Sequence, residues 1–171
     1  MHSEMTTTID LNGAGEWSLD GIRYRYGRYA EDLGVSLPRQ LEPLRAAQGG
    51  RKWIYPVLEQ VLVGLKEGDL ACVAITVDLV CSDERFTFGK VFKDKAARGL
   101  RDADLADEQV GRIRQHAVRQ LERGFVGPEF RTLAQLVRRI GIGELRERVL
   151  RIKPAGPRVA NYVQYFGSLE A

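Results

Sequence analysis

Apolar positions along the chain change their period several times, and each change marks an element. The densest stretch runs from Trp53 to Ser82, broken by the polar Lys66-Glu67-Gly68-Asp69. Ile54, Val57, Leu58, Val61, Leu62 and Leu65 follow the 3.6-residue spacing of a helix, and Pro56 falls early enough to be tolerated. In the second run Leu70, Val73, Ala74, Val77, Val80 and Cys81 share one helical face, yet Val73, Ile75, Val77 and Leu79 also alternate as in a strand. A run of this length behind the Gly68-Asp69 capping signal favours the helix. Being apolar nearly all round, that helix belongs at the centre of a core.

Upstream, residues 1–16 are polar and read as a mobile lead-in. Ile22, Tyr24 and Tyr26 alternate with Arg23 and Arg25 between Gly21 and Gly27, which predicts a short strand or extended segment. Ser36-Leu37-Pro38 reads as a helix start, with that helix running to about Gln48 and ending at Gly49-Gly50. Downstream, an aromatic connector at Phe86–Gly89 leads into helices over about 90–100, 107–123 and 129–140, then a shorter one to Ile152. After Pro154, Gly156 and Pro157, the spacing of Val159, Tyr162, Val163 and Phe166 predicts one last short helix. The fold expected is mainly α, a compact multi-helix domain over 17–153. It has a short N-terminal strand segment, and 154–171 docks back as a terminal piece.

The Trp53–Ser82 pair resembles a HEAT-type helical hairpin in architecture, with Pro56 in its first helix and Asp69 opening its second. It departs from that pattern at Leu70-Ala71-Cys72-Val73, where such hairpins carry a basic residue, and no second copy follows at a matching period. The resemblance covers about 30 residues and implies stacked helical hairpins at the level of architecture only.

Composition narrows the picture. Hydrophobic residues at 44% and charged residues at 29% are ordinary globular values. The start lacks a basic region followed by an apolar one, so no secretory signal is expected. No apolar run approaches the ~20 residues of a spanning helix. Cys72 and Cys81 lie inside the most apolar run and read as buried thiols of a reducing compartment, which places the chain in the cytoplasm. Net charge is +3, but residues 93–153 carry 15 basic and 9 acidic side chains, so the second half is the basic one.

The best functional candidate is a stripe on helix 107–123. Arg112, His116, Arg119 and Arg123 fall at i, i+4, i+7 and i+11, within about 60° of one another, opposite the apolar stripe of Val110, Ile113, Ala117 and Leu121. Read as an exposed row, it would meet an acidic patch on a protein or a phosphate backbone. Arg131, Arg138, Arg139, Arg146, Arg148 and Arg151 continue the basic character. In the Arg23–Tyr29 segment, Arg23, Tyr24 and Arg25 interleave cations with an aromatic ring, as single-stranded nucleic acid binding requires. Asp78 is the one acid inside the apolar run and reads as a structural carboxylate.

No spacing of histidines, cysteines or paired carboxylates matches a metal site, and no phosphate-cradling loop or nucleophile elbow occurs. The expectation is therefore a cytoplasmic, non-enzymatic protein-binding module without metal or cofactor. Its partner would have an acidic surface, and the alternative is a nucleic-acid-binding protein using the same arginines.

Overall fold

A computed structural model describes residues 6–170. Their contacts divide into two units, one holding residues up to Ile75 together with Glu84–Gly89, the other holding Thr76–Asp83 and the chain from Lys90 onward. Among the described residues are eight α-helices and three short strands, so the class is mainly α with a small strand component, as the periodicity predicts.

The first unit contains β1 (Thr7–Asp10), α1 (Leu19–Asp32), β2 (Arg45–Gln48), β3 (Arg51–Ile54), α2 (Leu58–Lys66) and the opening of α3 (Leu70–Cys81). β3 is central in a three-stranded sheet of order β1-β3-β2, parallel to β1 and antiparallel to β2. β1 lies inside the stretch read as lead-in. The strand predicted over residues 22–26 is instead part of α1. Ser18 caps it by accepting from the Gly21 amide at 3.0 Å, and Ile22, Tyr26 and Ala30 are buried one turn apart. Ile22 and Tyr26 suit both periods. Tyr24 decides between them: a strand would bury it on the face of Ile22 and Tyr26, and it is instead 70% exposed.

The helix predicted from Ser36 is also corrected. The chain is irregular to Leu44 and then enters β2, because Gly49 and Gly50 both adopt left-handed φ (56° and 72°) and reverse the chain in two residues. Such a turn matches the twist of a β-ribbon and closes β2 on β3. Trp53 and Ile54 are therefore strand residues, and the helix expected from Ile54 begins at Leu58, after Pro56 has ended the extended segment.

The hairpin of α2 and α3 is present. Asp69 Oδ1 caps α3 by accepting from the amides of Ala71 (2.9 Å) and Cys72 (3.1 Å). A Cβ at Gly64 would stand 2.3 Å from Cys72 Sγ, so the helices approach as closely as glycine allows. Val57, Leu58, Val61 and Leu65 are buried with Ala71, Cys72 and Ile75.

The second unit contains the rest of α3, then α4 (Gly89–Leu100), α5 (Asp107–Arg123), α6 (Phe130–Ile140), α7 (Arg146–Leu150) and α8 (Pro157–Gly167). α5 follows its predicted limits, with Asp107 and Glu108 in its first turn and a left-handed Gly124 at its end. Arg114 donates from Nε to Gly141 O and from Nη2 to Ile140 O, each at 2.7 Å, and so satisfies the last carbonyls of α6. α8 starts on Pro157, and Phe130 of α6 meets Tyr162 edge-on at 4.7 Å and Phe166 at 6.0 Å. No helix among the described residues is long and apolar enough to cross a membrane.

Candidate functional site

The predicted stripe on α5 does not form one exposed row. His116 is 5% exposed, and its ring pKa is pushed down to about 4, mainly by burial, with Arg119, Lys93 and Arg123 adding to the effect and Asp83 opposing it. The correction has a physical cause. Ile113, His116, Ala117, Val118 and Leu121 are all buried, an arc of roughly 200° where an ordinary surface helix buries about half as much. α5 is packed by α6 and α8, and it also meets Asp78 of α3 and Asp83 beyond it.

Two of the arginines of that helix are engaged by those acids. Arg112 Nη2 donates to Asp78 Oδ1 at 2.7 Å, and the Asp78 carboxylate is only 11% exposed. Asp83 accepts from Gln120 Nε2 at 3.0 Å and lies 3.4 Å from Arg123 Nη1. On the far flank Glu122 takes both Nε and Nη2 of Arg148, at 2.6 and 2.7 Å. This fork lowers the pKa of Glu122 and raises that of Arg148. Of the four stripe residues, only Arg119 is outward and without a carboxylate partner among the described residues.

The Arg-Tyr segment is dispersed in the same way. On a helix, successive side chains turn by about 100°, so Arg23, Tyr24 and Arg25 point in three directions. Arg23 donates to Leu41 O at 2.9 Å and pairs with Glu42 at 2.8 Å. Arg25 lies over the Trp17 ring at 4.5 Å and pairs with Glu16 at 3.1 Å. No stacking platform results.

Beside α1 the first unit has a cleft of about 600 Å³ lined by Arg23, Tyr26, Pro38, Arg39, Leu41 and Glu42. The Tyr26 hydroxyl donates to Asp69 Oδ2 and accepts from the Arg39 amide, both at 2.7 Å, and burial pushes its pKa up to about 12. The Arg39 guanidinium pairs with Glu67, and its Nε stands 3.3 Å from Asp69 Oδ2 without the alignment of a hydrogen bond. The cations here face the protein's own carboxylates. Burial likewise pushes the Cys72 thiol up to about 12 and the Cys81 thiol up to about 11, which makes both poor nucleophiles. Among the described residues no group of histidine, cysteine, aspartate or glutamate side chains is arranged to hold a metal ion.

Two other sets of cations are unopposed. α6 buries Phe130, Leu133, Ala134, Leu136 and Val137, which turns Arg131, Gln135 and Arg138 outward along one line, with Arg139 beside it. No acid lies between Phe130 and Gly143, and Arg131, Arg138 and Arg139 form no ion pair among the described residues. Arg101 joins them by donating to Gln135 Oε1 at 3.3 Å, while its carbonyl accepts from Arg139 Nε at 3.4 Å.

In the first unit, the β2–β3 ribbon exposes Arg45, Arg51 and Lys52. The chain from Pro43 to Leu58 contains no acid, and these three cations make no ion pair among the described residues. The signal for both sets was present as acid-free runs, which a search by helical spacing passes over. Comparison with family models, curated protein sequences and solved structures found no match.

Proposed function

We propose that the protein is a non-enzymatic, cytoplasmic protein-binding module (an adaptor, inhibitor or assembly factor) whose partner presents an acidic surface to a basic helical face of the second unit. The supporting observation is the outward face of α6, where Arg131, Arg138 and Arg139 project without a carboxylate partner among the described residues. Arg131 and Arg138, whose side chains bond to no other side chain or carbonyl among the described residues, offer their forks to a partner carboxylate at no cost in existing bonds. Arg139 gives up only its 3.4 Å bond to Arg101 O, whereas Arg112 would first have to leave Asp78. Two cysteines held as thiols agree with a reducing compartment.

Titration of labelled polyglutamate, mixed-sequence DNA and mixed-sequence RNA at low and physiological salt tests this reading. Polyglutamate is expected to bind and to lose at least about tenfold in affinity when Arg131, Arg138 and Arg139 are all changed to serine. The Arg123→Ser control should leave it unchanged. Nucleic acid bound more tightly than polyglutamate, with a steep loss on adding salt, would replace the protein-binding reading with a nucleic-acid-binding one.

A further inference from the structure

We infer that the free edge of β2 is a docking strand for an extended acidic peptide, which adds to the sheet alongside Arg45–Gln48 and brings carboxylates to Arg45, Arg51 and Lys52. The sheet order leaves β2 at one edge. Tyr55 donates to Leu44 O at 2.9 Å, and in this register Leu44 stands opposite Tyr55, one step beyond Arg45 opposite Ile54. Hydrogen-bonded pairs alternate along an antiparallel ladder, so Ala46 and Gln48 bond inward to β3. Arg45 and Ala47 then direct their N–H and C=O groups to the open side.

All four β2 residues are exposed. Ala46 and Ala47 are small, and they lie opposite Trp53 and Lys52 of β3. A strand laid beside them meets little steric obstruction and comes within reach of the long side chains one strand further in. Arg45 and Lys52 share one face, and Arg51 lies on the other with Trp53. An added strand with acids on both faces is therefore matched on both.

The opposite edge, β1, carries Asp10 and two threonines and lacks this charge, which selects β2. Strand addition draws affinity from main-chain bonds and selectivity from side chains, so the segment recognised is defined by extension and negative charge. This surface belongs to the first unit and stands apart from the helical-face reading.

The test is an amide-resolved titration of the full chain with a peptide of repeating Glu-Glu-Val-Val, whose extended form carries acids on both faces. The Arg45 and Ala47 amides are expected to shift and to exchange more slowly with solvent. Ala47→Pro removes the edge donor without altering charge and is expected to weaken binding at least about tenfold, while proline with its N–H side outward is tolerated on an edge strand. Arg45→Glu with Lys52→Glu is expected to do the same, and it carries the test if the proline variant does not fold. Binding that leaves the Arg45 and Ala47 amides unmoved, or that is indifferent to both variants, overturns the proposal. So does mixed-sequence RNA that binds the ribbon more tightly than the peptide and ignores Ala47→Pro. Serine at Arg131, Arg138 and Arg139 should leave these shifts unchanged, so failure of the helical-face reading is separately visible.

Discussion

α5 and α6 lie against each other in the second unit and carry arginines at similar spacing, but they use them differently. On α5 the row Arg112, His116, Arg119, Arg123 runs into a helix packed on two sides. Its histidine is buried, and two of its arginines meet Asp78 and Asp83. On α6 the row Arg131, Gln135, Arg138 faces outward along a helix without an acid. Helical spacing alone makes the two rows look equivalent. What separates them is whether a neighbouring element supplies a carboxylate. An arginine that meets an internal acid has its charge offset within the fold, and one that meets none carries that charge unopposed at the surface. The first unit repeats the contrast, with Arg23 and Arg25 engaged by Glu42 and Glu16, and Arg45, Arg51 and Lys52 engaged by no acid among the described residues.

The largest effect expected of this contrast is a pH dependence. With a folded pKa of about 4 against an ordinary 6.5, His116 binds its proton more readily in the unfolded chain. Its contribution to stability is therefore full above pH 6.5 and is lost as pH falls towards 4, a change of about 3 kcal/mol. Urea titrations across that range should show the slope in the wild type and a shallower one in His116→Gln. Equal slopes would place the imidazole in water and restore the exposed row.

Next in size is the α5 ion pair. Arg112→Ala leaves the nearly buried Asp78 carboxylate without its guanidinium and should cost about 2 kcal/mol in thermal or chemical unfolding. A loss under 0.5 kcal/mol (roughly the surface range) would mean that Arg112 is as available to a partner as the α6 arginines.

Asp83→Asn is expected to change stability by no more than about 0.5 kcal/mol, because its pair with Arg123 is exposed on both sides. It should nevertheless raise polyglutamate affinity by releasing the charge of Arg123 beside the already unpaired Arg119. Unaltered affinity would show that the internal acid is not what separates the two helices. Smallest of all, Arg138→Ala should leave stability within about 0.5 kcal/mol of wild type while weakening polyglutamate binding.

Much of the helical fold was legible from spacing. The α3 assignment, the limits of α5 and the glycine-closed helix ends followed from apolar period and capping chemistry. Two readings failed for local reasons. Ile22 and Tyr26 fit both periods, and Tyr24 drew the segment towards a strand; a helix formed because Ala30 extends the buried face by another turn. Ser36-Leu37-Pro38 looks like a helix start, but the Gly49-Gly50 reversal lies downstream and makes pairing with β3 available. The site was less legible. The burial of His116 depends on a second packing side of α5, and the engagement of Arg112 depends on Asp78, 34 residues away. Long-range pairings of this kind leave no local signature. The absence of acids from 43–58 and 130–143 does, and it marks the cations that stay unopposed.

The most direct test of that distinction is to map amide shifts across the whole chain on titrating in polyglutamate. The expected result is perturbation concentrated at residues 131–139 and on the 45–52 ribbon, with 112–123 little changed apart from the neighbourhood of Arg119. Perturbation centred on 112–123, with 131–139 and the ribbon silent, would contradict the claim that unopposed cations are the binding ones.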